Sequence, residues 1–280
     1  MIDMFNKMGE NILLLDNGNV FSKFYPSEDN VKLIFDSMGL MDYSCMNLSP
    51  TEFNMGLDTL IELLHPVSFP IITSNLVYKE NNRPFKEKYA IKKIGNINIG
   101  IVGILPEELT ELISDKMLKE TLIALPPEKE VEKILSEIRS KVDIVILLSQ
   151  CSYDKTVSLI NNLKGVDIVV SNQKTWSTCT KTNDETNLFQ LNPGGGYIDF
   201  IKIFKDKNGN IFVTDKKLIL LDDKVPNNEK VLKMIGDEKV SETLKEQDKL
   251  SKELNKQLQL TPEEFMKLML EQQKQKGENK

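Results

Sequence analysis

A turn between two apolar segments carries the residues of this chain that are best placed to do chemistry. The stretch from Leu48 to Gly56 follows a short apolar run and precedes the helix-periodic segment 57–64. This pattern predicts a strand that feeds a helix, and α/β folds bind ligands at such strand ends. Glu52 and Asn54 are the polar candidates in the turn. Because acidic side chains suit the exposed first turn of a helix, we expect both to face solvent.

Histidine and cysteine, the residues most often used for metal binding and nucleophilic catalysis, are scarce. The one histidine, His65, precedes a proline where the predicted helix ends, which is typical of a helix-terminal residue. The three cysteines, Cys45, Cys151 and Cys179, are too widely spaced for a zinc motif and predict free thiols. Cys45 lies in an apolar strand and is expected in the core, whereas Cys151 has no nearby histidine to activate it.

The composition narrows the class of protein. The 280 residues are 40% hydrophobic and 28% charged, with a formal net charge of −6, which predicts one large globular domain with an appendage. The acidic balance argues against a nucleic-acid partner. No apolar run approaches the roughly 20 residues of a membrane helix. Residues 1–10 have an apolar face of helical period but no signal-peptide pattern, so we expect a cytoplasmic location.

The segments around the turn alternate between strand and helix patterns, which predicts an α/β fold. Strands are predicted at 11–15, 43–47, 69–74, 142–148, 166–170, 188–191, 197–204 and 211–221, with a hairpin over 89–104. Helices are predicted at 30–38, from Pro50 to His65, and at 106–113, 128–139 and 154–163. Thr51 is the predicted N-terminal cap of the helix after Pro50.

Two of these segments resemble the metallophosphoesterases of the 5′-nucleotidase and UDP-sugar hydrolase type, in the calcineurin-like superfamily. That family carries LGNHEFDYG after a strand, and this chain keeps Leu48, Glu52, Phe53 and Gly56 at the matching places. A second family motif, LLDAGDxF, matches the run that begins at Leu14. The resemblance covers roughly residues 1–225 and implies a β-sandwich flanked by helices.

The matching positions lack the metal ligands of the family. The resemblance assigns a metal-bridging aspartate to Asn19, a metal-ligating asparagine to Pro50 and the catalytic histidine to Thr51. It assigns further histidines to Gln150, Gln173 and Thr175. The opening Asp-x-His motif would lie upstream of residue 1. Because neutral amides and hydroxyls cannot offset two dications, we expect no metal, no cofactor and no catalytic residue.

The amino-acid composition of the chain changes beyond Pro226. A Lys-, Glu- and Gln-rich sequence predicts a helical C-terminal extension over 226–280. One of its helices is expected to start at Thr261-Pro262 and to carry an apolar stripe of Phe265, Leu268 and Met269. This stripe is the candidate surface for a protein partner, although charged helices with thin apolar rows more often face solvent or pack weakly on their own domain.

The sequence therefore predicts a catalytically inactive metallophosphoesterase-like protein that acts in binding or assembly. Two alternatives stay open. A longer gene product that restores the opening motif would favour a weak or altered phosphohydrolase, and a signal peptide there would place the protein outside the cytoplasm. The domain could instead be a structural module that docks into a larger complex through residues 240–280.

Overall fold

The strands and helices follow the hydrophobic pattern of the chain. The computed structural model describes residues 11–21, 27–172, 179–181, 186–191, 196–208, 210–222 and 225–236. The first elements are β1 (Leu15–Asp16), α1 (Glu28–Leu40), β2 (Cys45–Asn47), a 3-10 helix (Pro50–Met55), α2 (Leu57–Leu64), β3 (Ile71–Ile72), β4 (Leu76–Tyr78), β5 (Tyr89–Ile94) and β6 (Ile97–Ile104).

The next elements cover residues 109–235. They are α3 (Leu109–Leu112), α4 (Lys116–Thr121), β7 (Leu122–Ala124), α5 (Pro127–Ile138), a 3-10 turn (Arg139–Lys141), β8 (Ile144–Ser149), α6 (Tyr153–Asn162), β9 (Ile168–Asn172), β10 (Cys179–Lys181), β11 (Asn187–Leu191), β12 (Tyr197–Lys205), β13 (Ile211–Leu220) and α7 (Glu229–Ile235).

Two sheets carry the architecture. The larger sheet has the strand order β10-β11-β9-β8-β6-β5, with its four inner strands parallel and both outer strands antiparallel to their neighbours. The smaller sheet, β1-β2-β3, is entirely parallel. A separate hairpin is formed by β12 and β13, and β4 pairs with β7. Parallel strands align their carboxyl ends, so the loops after β1, β2, β6 and β8 can meet.

Three apolar clusters fix the order of the layers. One face of the larger sheet packs against α5 and α6, with Val145 and Leu147 pointing to the helices. The other face, with Ile144 and Ile146, packs against Cys45 of β2 and the inner side of the β12–β13 hairpin. The outer face of the smaller sheet, with Met46, is covered by α1 and α2. This is the predicted α/β architecture, a β-sandwich flanked by helices.

The predicted elements are confirmed more closely in their type than in their boundaries. The helix predicted from Pro50 to His65 is two elements, because Gly56 at φ +87° separates the 3-10 helix from α2. Its cap is Ser49 and not Thr51, since the Ser49 hydroxyl accepts from the backbone N–H of Thr51. The strands predicted at 11–15 and 69–74 shorten to two residues each. The pattern gave no indication of β4, β7, β10 or α4.

The chain divides into two compact units, 1–226 and 227–280. Within the second unit the structure describes α7, which starts at the Asn228 side-chain cap and ends at Gly236. The predicted helices beyond it, including the Phe265, Leu268 and Met269 stripe, lie outside the described residues. In the described part of the chain, no helix has the length and apolar content needed to cross a bilayer.

Candidate functional site

The loops after β1, β2 and β8 bring most of the predicted positions together at the carboxyl ends of the strands. Thr51 Oγ1 donates a hydrogen bond to Asn19 Oδ1 at 3.0 Å. Pro50 is the first residue of the 3-10 helix beside them. The side chain of Gln150 is buried, and its Nε2 donates to the backbone carbonyl of Asn17. The predicted positions Gln173 and Thr175 lie outside the described residues.

The loop after β1 lies directly against the end of β2. A Cβ atom on Gly18 would stand 2.7 Å from the backbone nitrogen of Ser49 and 2.8 Å from the carbonyl oxygen of Asn47, so only glycine fits. Gly18 and Asn19 also have positive φ angles, of 81° and 67°. Asp16 Oδ1 accepts from the Gly18 N–H at 2.7 Å and closes this tight turn. The loop is therefore held in place by its own backbone geometry.

The turn after β2 is organised by a capping box. Ser49 caps the 3-10 helix, and Glu52 Oε2 accepts from the Ser49 N–H at 2.6 Å. Glu52 Oε1 accepts from the N–H of Val20 at 2.9 Å, which ties this turn to the loop after β1. Glu52 has no exposed surface, so the expectation that it faces solvent is wrong. The Ser-x-x-Glu spacing was the signal for this role. Asn54, as expected, is exposed.

Two buried asparagines complete the site. Asn47, the last residue of β2, donates from Nδ2 to Asn17 Oδ1 at 3.2 Å. The same Nδ2 lies 3.3 Å from the Ile104 carbonyl and 3.2 Å from the Leu148 carbonyl. Asn17 Nδ2 donates to the Ser149 carbonyl at 3.0 Å. We call Asn17, Asn47 and Gln150 the amide cluster. It connects the carboxyl ends of β1, β2, β6 and β8, and so joins the two sheets.

Burial shifts the titration of the acidic groups near the cluster. The pKa of Asp16 is raised to about 7, mainly because the carboxyl is desolvated, while the Gly18 N–H lowers it and the nearby Glu52 raises it. Desolvation likewise raises the pKa of Cys45 to about 12 and that of Cys151 to about 11. Both cysteines are buried thiols at neutral pH, which agrees with the expected core position of Cys45 and the expected inertness of Cys151.

The described residues do not fit the two-metal centre that the resemblance implies. At the matched positions Asn19 and Gln150 are neutral amides and Pro50 offers no side-chain donor atom. Gln150 Nε2 donates to the Asn17 carbonyl, and a neutral amide is a weaker metal ligand than the imidazole that the resemblance expects there. The oxygen Oδ1 of Asn47 is buried without a hydrogen-bond partner, but it packs against Gly103, where a Cβ atom would stand only 2.6 Å away. Among the described residues, no three His, Cys, Asp or Glu side chains converge as a metal site would need.

Comparison with known proteins gives the same family as the motifs. The 5′-nucleotidase of Bos taurus is 25% identical to this chain over 252 residues, covering 78% of the chain and 42% of that protein. A 5′-nucleotidase precursor from Thermus thermophilus superimposes on 78% of the chain with a TM-score of 0.64 and 21% identity, over 47% of its own length. The chain is similar in sequence and in fold to the 5′-nucleotidase-type metallophosphoesterases.

This metallophosphoesterase fold does not require the full length of the nucleotidases. The calcineurin-like phosphoesterase YfkN from Bacillus subtilis matches 87% of the chain and 88% of the YfkN chain, with a TM-score of 0.67 and 18% identity. By contrast, the chain spans less than half the length of the bovine nucleotidase. No protein-family model matches the sequence.

Sequence reasoning located the loops of the site but missed part of the chemistry between them. Asn17 stood in a turn cluster and Asn47 at the end of an apolar strand. A polar residue in a strand that is otherwise buried was the available signal, since buried amides must find hydrogen-bond partners. Which partners they find depends on contacts between residues about 30 to 150 positions apart, and local patterns carry no information about those.

Proposed function

We propose that this chain is a catalytically inactive relative of the 5′-nucleotidase-type metallophosphoesterases that acts in binding or assembly. The observation that carries the proposal is the orientation of Gln150, at the position of a family histidine. Its amide nitrogen donates to the Asn17 carbonyl, and the neutral amide stands where the family has an imidazole ligand. The NH₂ groups of the buried Asn17 and Asn47 beside it donate to backbone carbonyls in the same way.

The chemistry of metal-assisted hydrolysis supports the same proposal. Such enzymes place two dications a few Å apart, hold them with anionic and imidazole ligands, and use them to activate water and stabilise the leaving oxygen. By the resemblance, Asn19 replaces the bridging carboxylate, and Thr51, whose hydroxyl donates to Asn19, is too weak an acid to act as a general acid near neutral pH. The carboxyl groups of Asp16 and Glu52 accept backbone N–H groups instead of facing an open site.

Binding or assembly is then the role left for the fold. The candidate surface is the stripe of Phe265, Leu268 and Met269 in the C-terminal extension, which stays a prediction. Removal of residues 240–280 should abolish assembly with the partner while the first unit keeps its unfolding temperature. An unchanged elution profile of the shortened chain, in the presence of whatever the full chain co-purifies with, would count against this part of the proposal.

Hydrolysis assays on the purified full chain test the central part. We expect no turnover of nucleoside monophosphates or of a bis-aryl phosphodiester above the buffer blank, with manganese or zinc supplied. A matched pair of variants, Asn19→Ala and Thr51→Ala, identifies the source of any signal. Turnover that both variants retain comes from a contaminating phosphatase and leaves the proposal standing. Turnover that either substitution abolishes belongs to this site and overturns the proposal in favour of a weak or altered phosphohydrolase.

A further inference from the structure

The amide cluster lies where several strands of both sheets end. Asn17 follows β1, Asn47 ends β2, and Gln150 follows β8. Their donors reach carbonyls of Ile104 at the end of β6 and of Ser149 at the end of β8. The Ile104 carbonyl also accepts the backbone N–H of Gln150, so the cluster adds side-chain donors where the ladder of backbone hydrogen bonds ends.

Several hydrogen-bond acceptors surround the donor atoms of the amide cluster. Asn47 Nδ2 is surrounded by three oxygen atoms at 3.2 to 3.3 Å, on Asn17, Ile104 and Leu148. A flipped amide would turn its oxygen toward these three acceptors, so the orientation of the Asn47 side chain is fixed by its surroundings. Asn47 and Asn17 are 0% and 3% exposed, so water does not replace these bonds.

We propose that the amide cluster is a metal-free clamp that holds the two sheets together at their carboxyl ends. Two of its members, Asn17 and Asn47, are not among the positions that the resemblance assigns to metal ligands, and the third, Gln150, is. The clamp thus uses one former ligand position together with two neighbouring residues. The inference rests on the proposed function in one respect, namely that no metal occupies this end of the sandwich.

The clamp and a metal centre need opposite kinds of group at position 47. An ion attracts carboxylates and carbonyl oxygens, whereas the Asn47 position needs a donor because every neighbour of its Nδ2 atom is an acceptor. A carboxylate at position 47 would face the oxygens of Asn17, Ile104 and Leu148 without a proton between them. Buried like-charged or unsatisfied oxygens destabilise a fold strongly.

Thermal unfolding of the full chain and of Asn47→Asp tests the clamp. The wild-type midpoint should be the same in EDTA and in manganese. In EDTA, Asn47→Asp, which changes one NH₂ into an oxygen, should lower the midpoint by about 5–10 °C for a protein of this size. The control Asn54→Asp makes the same change at an exposed position of the adjacent turn and should shift the midpoint by less than about 2 °C.

The unfolding experiment tests the clamp separately from the proposed function. An Asn47→Asp midpoint within the range of the control, measured in EDTA, would overturn the clamp even if the chain hydrolyses nothing. If the variant does not fold, hydrogen exchange of the wild type decides. The side-chain amide protons of Asn47 should then exchange as slowly as core backbone amides, in EDTA as well as without it, and fast exchange would refute the clamp. Hydrolysis of a substrate by the wild type would contradict the proposed function but would not test the clamp.

Discussion

The two ends of strand β8 are joined to neighbouring elements by different sets of side chains. At the amino end, carboxylates pair with cations: Asp143 Oδ1 lies 2.7 Å from Lys205 Nζ, and Asp167 Oδ1 lies 3.3 Å from Arg139 Nη2. At the carboxyl end, the described residues contribute buried amides, and the nearby carboxyls of Asp16 and Glu52 accept backbone N–H groups. All four residues of the amino-end pairs keep part of their side chain in water.

The difference follows from the cost of burying charge. A partly exposed ion pair keeps some hydration and needs little compensation, but a fully buried ion loses its hydration and must be surrounded by partners. Enzymes of this family accept that cost at the carboxyl ends of their strands, because dications and their ligands do the chemistry there. In this chain the amides of Asn17, Asn47 and Gln150 lie at that end, beside the buried carboxyl of Glu52.

The largest expected loss of stability comes from removing the buried carboxylate of Glu52. Glu52→Ala leaves the N–H groups of Ser49 and Val20 without an acceptor, so we expect it to lower the free energy of unfolding by about 3–5 kcal/mol, measured by urea denaturation. The control Glu62→Ala removes an exposed carboxylate from α2 and should change stability by less than about 0.5 kcal/mol. Equal effects of the two substitutions would show that the capping box contributes nothing.

The next largest effect is a change in stability at Asp16 that depends on pH. The pKa of Asp16 is raised to about 7, above its unfolded value, so the folded state favours the protonated acid. The stability from Asp16 is therefore complete below about pH 4 and is lost as pH rises to about 7. Asp16→Asn keeps the acceptor for the Gly18 N–H and removes the charge. Because Asp16 is only half-buried, we expect a gain of about 1–3 kcal/mol at pH 8.

Urea denaturation at both pH values checks this expectation. At pH 4 the Asp16→Asn variant and the wild type should unfold at the same urea concentration, and the difference should grow as pH rises. The exposed Asp42, changed to Asn, is the control for the loss of one surface carboxylate. A variant that is less stable than the wild type at pH 8 would mean that the Asp16 carboxylate is stabilised as an anion, which is the behaviour of a cation site.

The smallest expected loss of stability comes from removing the Lys205–Asp143 ion pair at the amino end of β8. The hydrogen bond from Lys205, followed by that from the Asn98 N–H, holds the pKa of Asp143 below its usual range. This contribution is present above about pH 4 and disappears as the pH falls below that value. Lys205→Ala should lower the free energy of unfolding at pH 7 by about 1 kcal/mol or less. High salt should reduce the difference, and a loss as large as that for Glu52→Ala would remove the contrast between the two ends.

Local pattern predicted the scaffold better than the site. The hairpin over 89–104 follows from the turn signal at Gly95-Asn96 between two apolar segments, and the buried strand β8 follows from a continuous apolar run. The loop positions Asn19, Thr51 and Gln150 also followed from the motifs. The burial of Glu52 did not, because its partner at Val20 lies 32 residues away in another loop. The short strands β4 and β7 pair 44 to 48 residues apart around turns without a repeating pattern.

Metal stoichiometry tests the central claim most directly. The purified chain is equilibrated with manganese and zinc, freed of unbound ions by gel filtration, and analysed by mass spectrometry for metal per chain. If the carboxyl ends of the strands are held by amides, the folded chain should retain far less than one metal ion per molecule. Retention of one or two ions, lost on Gln150→Ala or Asn19→Ala, would contradict the account and place a working metal centre at this end of the sandwich.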